Sequence, residues 1–313
     1  MASESLPTLN NMALTLKLKG KKNKPKHVTE HLIGYLFIAP VFIGIAFFVI
    51  YPFFYSLIST FRNWNGLVPL EFAPKVGWEM YQRVLTEPLF WQSFLNTVIT
   101  LSGIPIGMVL SMGLALLLNR GLKFTGTFRV IFYIPVVSSI TAIIILWRAM
   151  MNTQGPINDL LLLFHIGPIN FLGEPGYARA SLIGMLIWKG LGTSTLLYLA
   201  GLQGISDSYK EAAKLDGAND WQIFWRITFP LLKPTHFFLV VTGIIGGMQL
   251  YVEPELLLNG GPARATTTIL IYLFERFGAN RISEASVVAW VLGVFVFIVT
   301  AIQFYYNSRR ERA

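Results

Sequence analysis

Few residues in this sequence have the type and spacing that metal binding or catalysis requires. The sequence contains no cysteine, which excludes a thiolate zinc site and a cysteine nucleophile. Its four histidines lie in separate segments without ligand spacing: His27, His31, His165 and His236. No Gly-x-x-x-x-Gly-Lys-Ser/Thr motif is present, so the chain does not bind ATP through such a loop. We therefore expect no metal, no cofactor and no catalytic residue.

Lys189 is a charged residue inside a long apolar run, 180–203. It lies about nine residues into that run, which at roughly 1.5 Å per residue is near the middle of a membrane-spanning helix. An ammonium group at that depth is costly unless it faces water or a partner. We therefore expect Lys189 to face a polar cavity. Snorkelling of the side chain to the membrane surface is the alternative, and the depth disfavours it.

The composition of the chain predicts that lipid surrounds it. Hydrophobic residues make up 54% of the sequence and charged residues 13%. Apolar runs of roughly 20 residues, enough to cross a bilayer as a helix, occur near 32–58, 94–118, 128–150, 180–203, 235–258 and 285–306. Backbone groups in lipid must be hydrogen-bonded within each segment, so the fold class predicted is all-α, a polytopic membrane bundle of about six helices. The first run is too long for a signal peptide and should stay attached.

The basic residues predict the orientation in the membrane. They concentrate in a tail at 1–31, between the second and third runs, and in a tail at 307–313. They are Lys17, Lys19, Lys21, Lys22, Lys24, Lys26, Arg120, Lys123, Arg129, Arg309, Arg310 and Arg312. Basic segments stay in the cytoplasm, so both termini should be inside and the loops 59–93, 151–179 and 259–284 outside. Nucleic-acid binding is disfavoured, because these residues flank spans instead of lining one face.

Small residues and prolines predict local features of the spans. Small residues share one helix face in the second run and allow a neighbouring backbone to approach closely: Gly103, Gly107, Ser111 and Ala115. A proline removes a helical hydrogen bond, so bends are expected at Pro40, Pro52, Pro105 and Pro135.

The segment 204–234 predicts a helix, a turn and a second helix. Ser208 with Glu211 three residues later is typical of a capping box, and Gly217 can adopt the left-handed conformation that ends a helix. The first helix is therefore expected from Tyr209 to Asp216. Asp220 is expected to cap the second helix, Pro230 to end it and Pro234 to open the fifth span. The aromatic residues of the second helix favour the membrane interface: Trp221, Phe224 and Trp225.

At these residues the chain resembles the membrane subunits of ABC importers. The family's cytoplasmic EAA loop is matched by Glu211-Ala212-Ala213, Asp216-Gly217-Ala218, Phe224, Ile227, Pro230 and Pro234. The resemblance implies the type-1 importer permease architecture, with a permease domain at 32–306 in a bacterial inner or plasma membrane. It also implies that the hairpin 204–234 docks on a separate ATP-binding subunit, which hydrolyses the ATP. A simple capping role for Glu211 is compatible with this.

Shorter segments are similar to the carbohydrate branch of that family, its sugar and glycerol-phosphate permeases. They are Leu36 to Phe61, Asn96-Thr97, Arg129 to Pro135 with Trp147, Gly260-Gly261-Pro262 with Thr266 to Thr268, and Gln249 to Pro254. The last departs from the family, which often has Phe at Tyr251 and Asp at Val252. The resemblance implies a sugar or oligosaccharide as solute. It also implies a second permease subunit, usually a different chain, and an extracellular solute-binding protein as partners.

The resemblance also suggests residues of the substrate path. Trp188-x-Gly190 is similar to a pocket segment of maltose permeases, in which an aromatic ring stacks on a sugar and a glycine leaves room; a packing role for Trp188 is the alternative. Lys189 offers three donors and is expected to favour acidic or strongly hydrogen-bonding sugars. Gln249, Tyr251 and Glu253 complete the predicted path. Glu253 and Glu255 serve either as an outer gate or as ordinary surface carboxylates.

Other functions remain as alternatives. An ABC permease for a solute other than a sugar would carry the same hairpin. A secondary transporter would need paired intramembrane carboxylates and inverted repeats with broken helices, and a membrane enzyme a cluster of His, Asp or Glu at one interface. The EAA-type hairpin and the missing ATP site favour the ABC permease.

Overall fold

The computed structural model describes residues 27–119 and 125–311. The basic residues of the N-terminal tail, together with Arg120, Lys123 and Arg312, lie outside the described residues. The chain divides into two compact units, Met1–Ser56 and Leu57–Ala313. The described part of the first unit is a continuous helix; the second unit contains the remaining elements.

Helices account for all the regular secondary structure of the described residues. They are α1 His27–Ile45, α2 Tyr51–Ser59, α3 Glu79–Leu85, α4 Pro88–Thr100, α5 Gly103–Asn119, α6 Thr125–Val137, α7 Ile140–Met150, α8 Pro156–Leu163, α9 Pro175–Gln203, α10 Asp207–Leu215, α11 Asp220–Ile223, α12 Phe229–Leu231, α13 Lys233–Met248, α14 Val252–Leu258, α15 Ile269–Gly278 and α16 Ile282–Glu311. Two π-helical turns, Ala46–Ile50 and Phe224–Thr228, and a 3-10 turn, Leu70–Phe72, complete them. In these residues the only β pairing is an isolated bridge between Arg62 and Lys75. The all-α prediction is confirmed.

The number of helical stretches able to cross a membrane agrees with the sequence. By length and composition, four described helical stretches qualify: Gly34–Ser59, Pro88–Asn119, Pro175–Gln203 and Ile282–Arg309. Two bent pairs qualify if each is one span: Val130–Val137 with Ile140–Met150, bent by 112°, and Asp220–Leu231 with Lys233–Met248, bent by 58°. The described chain therefore has up to six spans, as predicted.

The bend in the third span lies just after Pro135. This proline has no N–H to donate within α6. The chain leaves the helix at Ser138 and Ser139, and the Ser138 side chain donates a hydrogen bond to the Ile134 carbonyl at 2.7 Å. Ser139 adopts an extended backbone before α7 begins. The bend predicted from Pro135 is therefore present, and it is sharper than a proline kink alone.

The fifth apolar run differs from the continuous helix expected at 235–258. Helix α13 ends at Met248 and α14 begins at Val252. Gly246 and Gly247 weaken the last turn of α13, because glycine is among the poorest helix formers. Tyr251, just before α14, has a non-helical backbone with φ −130° and ψ −55°. Glu253 therefore belongs to a separate short helix.

Three apolar clusters hold the second unit together. One joins α3, α4, α13, α15 and α16 around Phe90 and Tyr272. A second joins α5, α9 and α13 around Tyr198, and a third joins α7, α9 and α14 around Trp147. Helix α13 takes part in the first and second clusters and α9 in the second and third, so these two helices connect all three.

A buried ion-pair network fixes the ends of α4, α15 and α16. Arg276 pairs with Glu87 and, at 3.5 Å, with Glu284, which is buried. The Tyr272 hydroxyl donates a hydrogen bond to Glu87 at 2.9 Å. Burial raises the pKa of Tyr272, and the hydrogen bond to Glu87 adds to that increase, so the hydroxyl keeps its proton.

Close helix approach decides the packing around α9. A Cβ atom on Gly192 would lie 2.3 Å from the Phe132 carbonyl oxygen and 2.8 Å from Cγ2 of Val136. A Cβ on Gly103 would lie 3.1 Å from Ile183. Ser111 and Ala115, on the same face of α5 as Gly103, are fully buried. The close approach predicted for that face is therefore present at Gly103, whereas at Gly107 an added Cβ would meet Ile187 only at 3.9 Å.

We predict that Gly192→Ala destabilises the protein. The added methyl group must displace the α6 backbone, an overpacking that costs about 1–3 kcal/mol. Gly190→Ala is the matched control, since it lies in the same helix, gains the same helix propensity and meets no atom within 4 Å. Denaturant unfolding of the purified protein in detergent measures the difference. Equal stability of the two variants would contradict the close contact between α6 and α9.

Candidate functional site: a cavity between spans and a capped hairpin

A cavity of about 620 Å³ lies between α5, α9 and α13, with α14 at one side. Its walls are largely apolar and carry several hydroxyl groups and glycines. The hydroxyl-bearing residues are Thr100, Ser111, Thr193, Ser194 and Thr242. Among the described lining residues the charged ones are Lys189 and Glu253. The cavity can therefore hold a solute rich in hydrogen-bonding groups between apolar walls.

The two charged residues form an ion pair across the cavity wall. Lys189 Nζ on α9 donates to Glu253 Oε1 on α14 at 2.6 Å. The Lys189 side chain is 35% exposed and that of Glu253 is 12% exposed. Lys189 lies on the cavity wall, where the sequence predicted it. The sequence did not predict its partner, although a cation inside a span requires one and Glu253 was already a candidate.

Trp188 lies on a different side of α9. Its ring stacks on Trp147 with the ring centroids 5.7 Å apart, and Trp147 donates a hydrogen bond to Ser181 at 3.0 Å. Gly190 lines the cavity, whereas Trp188 lies outside the lining formed by the described residues. Two residues apart on an α-helix differ by about 200° in direction, so these two cannot share a face. The placement corresponds to the packing role that was the alternative for Trp188.

The predicted segment from Gln249 to Glu253 is divided between two sites. Gln249 is exposed at the end of α13, and Tyr251 packs on Phe274 with ring centroids 4.5 Å apart. Tyr251 and Glu255 line a separate, smaller cavity of about 210 Å³. Leu250 and Glu253 face the large cavity. The structure therefore places Tyr251 away from the large cavity, because the break after α13 turns its side chain toward α15.

Three polar side chains hold the loop that precedes α15. Asn96 Nδ2 donates to the carbonyls of Arg264 and Thr267, at 2.9 and 3.1 Å. Arg179 donates to the Ala265 carbonyl at 2.9 Å and to Asn96 Oδ1 at 3.0 Å. Thr97 Oγ1 accepts from the Ile269 N–H at 2.9 Å. Asn96-Thr97 and the loop, both noted in the sequence, are thus neighbours, and Arg179 was missed.

The hairpin at 204–234 begins with a cap different from the one predicted. Ser206, with an extended backbone, precedes α10, and its hydroxyl accepts from the Ser208 N–H at 3.4 Å. The prediction of a Ser208–Glu211 capping box is therefore wrong, because α10 starts two residues before the expected Tyr209. Glu211 is exposed and has no capping role.

The turn of the hairpin has the conformation that the sequence predicted. Gly217 has φ +83°, the left-handed conformation predicted for it. The Gly217 N–H donates to the Lys214 carbonyl and the Ala218 N–H to the Ala213 carbonyl, at 3.0 and 2.9 Å. This pair of bonds is a Schellman motif. Ala213, Gly217 and Ala218 thus close the end of α10, and Asp216 is the exposed residue that follows it as the C-cap.

The second helix of the hairpin also starts one residue earlier than expected. Asn219 and Gln222 form a reciprocal capping box, each side chain accepting from the other's N–H at 2.9 Å. Asp220 is therefore not the cap, because Asn219 has the extended backbone that a cap requires. Pro230 does not end the helix either, since the π-turn Phe224–Thr228 before it shifts the hydrogen-bond register. Pro234 lies at the start of α13, as predicted.

The hairpin presents apolar side chains that nothing in the described chain covers. The Leu215 side chain is 90% exposed, and Tyr209 and Trp221 are also largely exposed. Glu211, Ala212 and Asp216 lie exposed on the same short helix or at its end. Phe224 contacts the rings of Trp221, Trp225 and Phe229 in an aromatic cluster at the base of the hairpin.

One hydrogen bond connects the base of the hairpin to α9. The Tyr198 hydroxyl on α9 lies 2.8 Å from Nδ1 of His236 on α13. The His236 ring also lies against the ring of Phe229, with centroids 4.7 Å apart. The corner between α12 and α13 therefore contacts α9, the same helix that carries Lys189. The sequence did not single out Tyr198, and only its contact with His236 distinguishes it from an ordinary packing residue.

Comparison with known proteins shows to which family this chain belongs. The family model for the inner membrane component of binding-protein-dependent transport systems matches residues 103–312. The lactose transport system permease protein LacF of Rhizobium radiobacter is 35% identical over 288 residues, which cover 89% of this chain and 94% of the relative. The chain belongs to the binding-protein-dependent transport permease family. It is a multi-pass membrane protein, as are the transport subunits of this family.

Other relatives of this permease extend over the same length. The trehalose/maltose transport system permease protein MalF of Thermococcus litoralis is 31% identical over 296 residues, covering 92% of this chain and 95% of the relative. The fold is similar to a chain of a bacterial ABC transporter involved in the import of the acidic polysaccharide alginate, with a TM-score of 0.78. That chain is 23% identical, and the match covers 91% of this permease and 98% of the other chain. At this identity the likeness establishes the fold.

We predict that Asn96→Ala loosens the loop before α15. The change removes the Asn96 bonds to the Arg264 and Thr267 carbonyls and to the Arg179 guanidinium. The Arg264 carbonyl keeps its bond from the Thr267 N–H at 3.3 Å, whereas a buried group left without a partner costs about 1–3 kcal/mol. Trypsin should then cleave faster after Arg264, which is exposed in this loop. Asn65→Ala is the control, because Asn65 is exposed and its side chain accepts a single local bond, from the Leu67 N–H. A cleavage rate unchanged from the parent would show that Asn96 does not hold the loop.

Proposed function

We propose that this permease forms part of the translocation path of a bacterial ATP-driven importer for a sugar or oligosaccharide. The observation that carries the proposal is the cavity of about 620 Å³ between α5, α9 and α13. Sugar hydroxyls leaving water need hydrogen-bond partners, and the hydroxyl groups on these walls supply them. The relatives named for lactose and for trehalose and maltose support the same solute class.

The hairpin 204–234 is the proposed contact with a separate ATP-binding subunit. Its exposed apolar side chains and its two capped helices support a docking role, because such a surface is otherwise unfavourable in water. The residues proposed for this contact or for holding its shape are Glu211, Ala212, Ala213, Asp216, Gly217, Ala218, Phe224 and Pro230. The Tyr198–His236 contact gives the hairpin a rigid connection to α9 and thereby to the cavity wall.

Two further partners complete the proposed importer. A second permease subunit, usually a different chain, provides the other side of the path, and an extracellular solute-binding protein delivers the solute. A structurally similar alginate transporter was solved with its pentasaccharide-bound periplasmic protein. We further propose that both termini and the hairpin lie in the cytoplasm, with the tails at 1–31 and 307–313 on that side.

Uptake by the complete complex tests the solute class. The permease is purified with its ATP-binding subunit and second permease subunit and reconstituted in vesicles with the solute-binding protein. Labelled lactose, maltose and trehalose are the probes. ATP-dependent accumulation of at least one of them supports the proposal. Uptake of a non-saccharide solute by a complex that accumulates no saccharide would overturn it.

We predict that Gly217→Val abolishes solute-stimulated ATP hydrolysis while the protein stays in the membrane. Valine at positive φ is strained by on the order of 1–2 kcal/mol, so the hairpin must change its shape. Gly77→Val is the matched control, because Gly77 also has a positive φ (+58°) and an added Cβ there meets no atom within 4 Å. ATPase and uptake rates in vesicles provide the measurement, and parental rates in Gly217→Val would remove this residue from the coupling role.

The variant Glu211→Lys tests the role of the Glu211 charge separately from helix capping. Glu211 does not cap α10, so its replacement should leave the hairpin folded and remove only a contact with the ATP-binding subunit. We expect uptake to be lost with the second permease subunit still bound. Glu71→Lys, an equal charge change at an exposed position between α2 and α3, should retain uptake. Transport at the parental rate by Glu211→Lys would contradict its role.

Leu215→Ser tests the apolar part of the same contact. Removing a side chain that is buried only on docking should weaken association with the ATP-binding subunit about tenfold or more, since burying a leucine contributes about 1.5–3 kcal/mol. Leu67→Ser is the control, because Leu67 is also largely exposed (75%) but lies outside the hairpin, in the loop between α2 and α3. Association is measured by titrating the ATP-binding subunit onto the detergent-purified permease pair. Equal binding by both variants would exclude Leu215 from the interface.

A further inference from the structure

The charge of the cavity wall bears on which saccharides can occupy it. Lys189 and Glu253 are the charged residues among the described lining residues, and they are bonded to each other at 2.6 Å. Their formal charges cancel. A solute in the cavity therefore meets a compact pair of opposite charges and not a free ammonium.

The geometry of the pair leaves little attraction for an anion. Glu253 is more deeply buried than Lys189, so its carboxylate is held close to the lysine within the wall. A carboxylate on the solute that approaches Lys189 also approaches Glu253, which repels it. Removing a carboxylate from water is much more costly than removing a hydroxyl, and the described lining residues offer no unpaired positive charge to offset that cost.

The uncharged polar groups of the wall suit hydroxyl groups instead. Thr193 and Ser194 also line the cavity, the first exposed and the second half-buried, so their hydroxyl groups are open to a solute. Thr100 and Thr242 donate to backbone carbonyls of Asn96 and Phe238, at 2.9 and 2.7 Å, so each oxygen can still accept a bond. These groups both donate and accept, as sugar hydroxyls do.

We infer that this permease's share of the path selects uncharged saccharides and discriminates against those that carry a carboxylate, because Glu253 neutralises Lys189. The inference rests on the proposed function and names the solute class within it. It reverses the expectation from sequence that Lys189 favours acidic sugars. It also separates this permease from the structurally similar chain, whose transporter imports the acidic polysaccharide alginate.

Direct binding to the purified complex tests the inference. The complex contains the permease, the second permease subunit and the ATP-binding subunit, and the solute-binding protein is left out because it adds its own selectivity. The probes are lactose and maltose, and the same disaccharides with a carboxylate in place of the terminal hydroxymethyl group. We expect the parent complex to bind the neutral sugars at least tenfold more tightly than the acidic ones.

Three variants identify the source of that preference. Glu253→Gln frees the ammonium and should improve binding of the acidic disaccharides tenfold or more, with a gain that declines as salt is raised. The charge-swapped variant Lys189→Glu/Glu253→Lys keeps the pair and should keep the preference for neutral sugars. Glu275→Gln breaks an ion pair with Arg264 outside the cavity and should leave the preference unchanged.

The outcomes separate this inference from the proposed function. Equal or tighter binding of the acidic disaccharides by the parent complex overturns the inference and leaves a saccharide path intact. An unchanged preference in Glu253→Gln, with the parental affinity for lactose, also overturns it. A parent complex that binds none of the four sugars yet imports a non-saccharide solute overturns the proposed function, and the inference with it.

Discussion

The ion pair between Lys189 and Glu253 constrains the arrangement of the helices around the cavity. A lysine in the middle of a span needs a partner, and Glu253 provides it from a different element. That partner is available because α13 ends at Met248 and the chain turns before α14. A single continuous helix through 258 would place Glu253 one turn beyond Gln249 along the axis of α13. The break after the glycines of α13 is therefore part of how the cavity is built.

Helix α9 connects the cavity with the hairpin. Its middle carries Lys189, and its end packs with α5 and α13 through Tyr198. The hydrogen bond between Tyr198 and His236 holds it to the corner at which the hairpin joins α13. Close contact with the α6 backbone at Gly192 restricts how far α9 can rotate. The hairpin and the cavity wall are thus joined through one closely packed helix.

The loops at the other ends of the spans are held by polar side chains. Asn96 and Arg179 satisfy carbonyl groups of the loop before α15, where Ala263 and Arg264 adopt positive φ. Arg276 joins Glu87 and Glu284 beside it. A strained backbone persists only where its surroundings fix it, and these hydrogen bonds and ion pairs supply that constraint. The loop therefore has a defined shape next to the segment that carries Glu253.

The sequence by itself determined the all-α class, the number of spans and the turn at Gly217, because each depends on local periodicity or backbone preference. It also predicted from the depth of Lys189 in a helix that this residue would face a cavity. It misplaced both hairpin caps by one or two residues, since Ser206 and Asn219 compete with equally good neighbours. Tertiary structure alone decided that Lys189 meets Glu253, that Trp188 packs on Trp147, and that Arg179 holds a distant loop. These contacts join residues far apart in the chain, and which face of a helix meets which neighbour is fixed only when all the helices pack together.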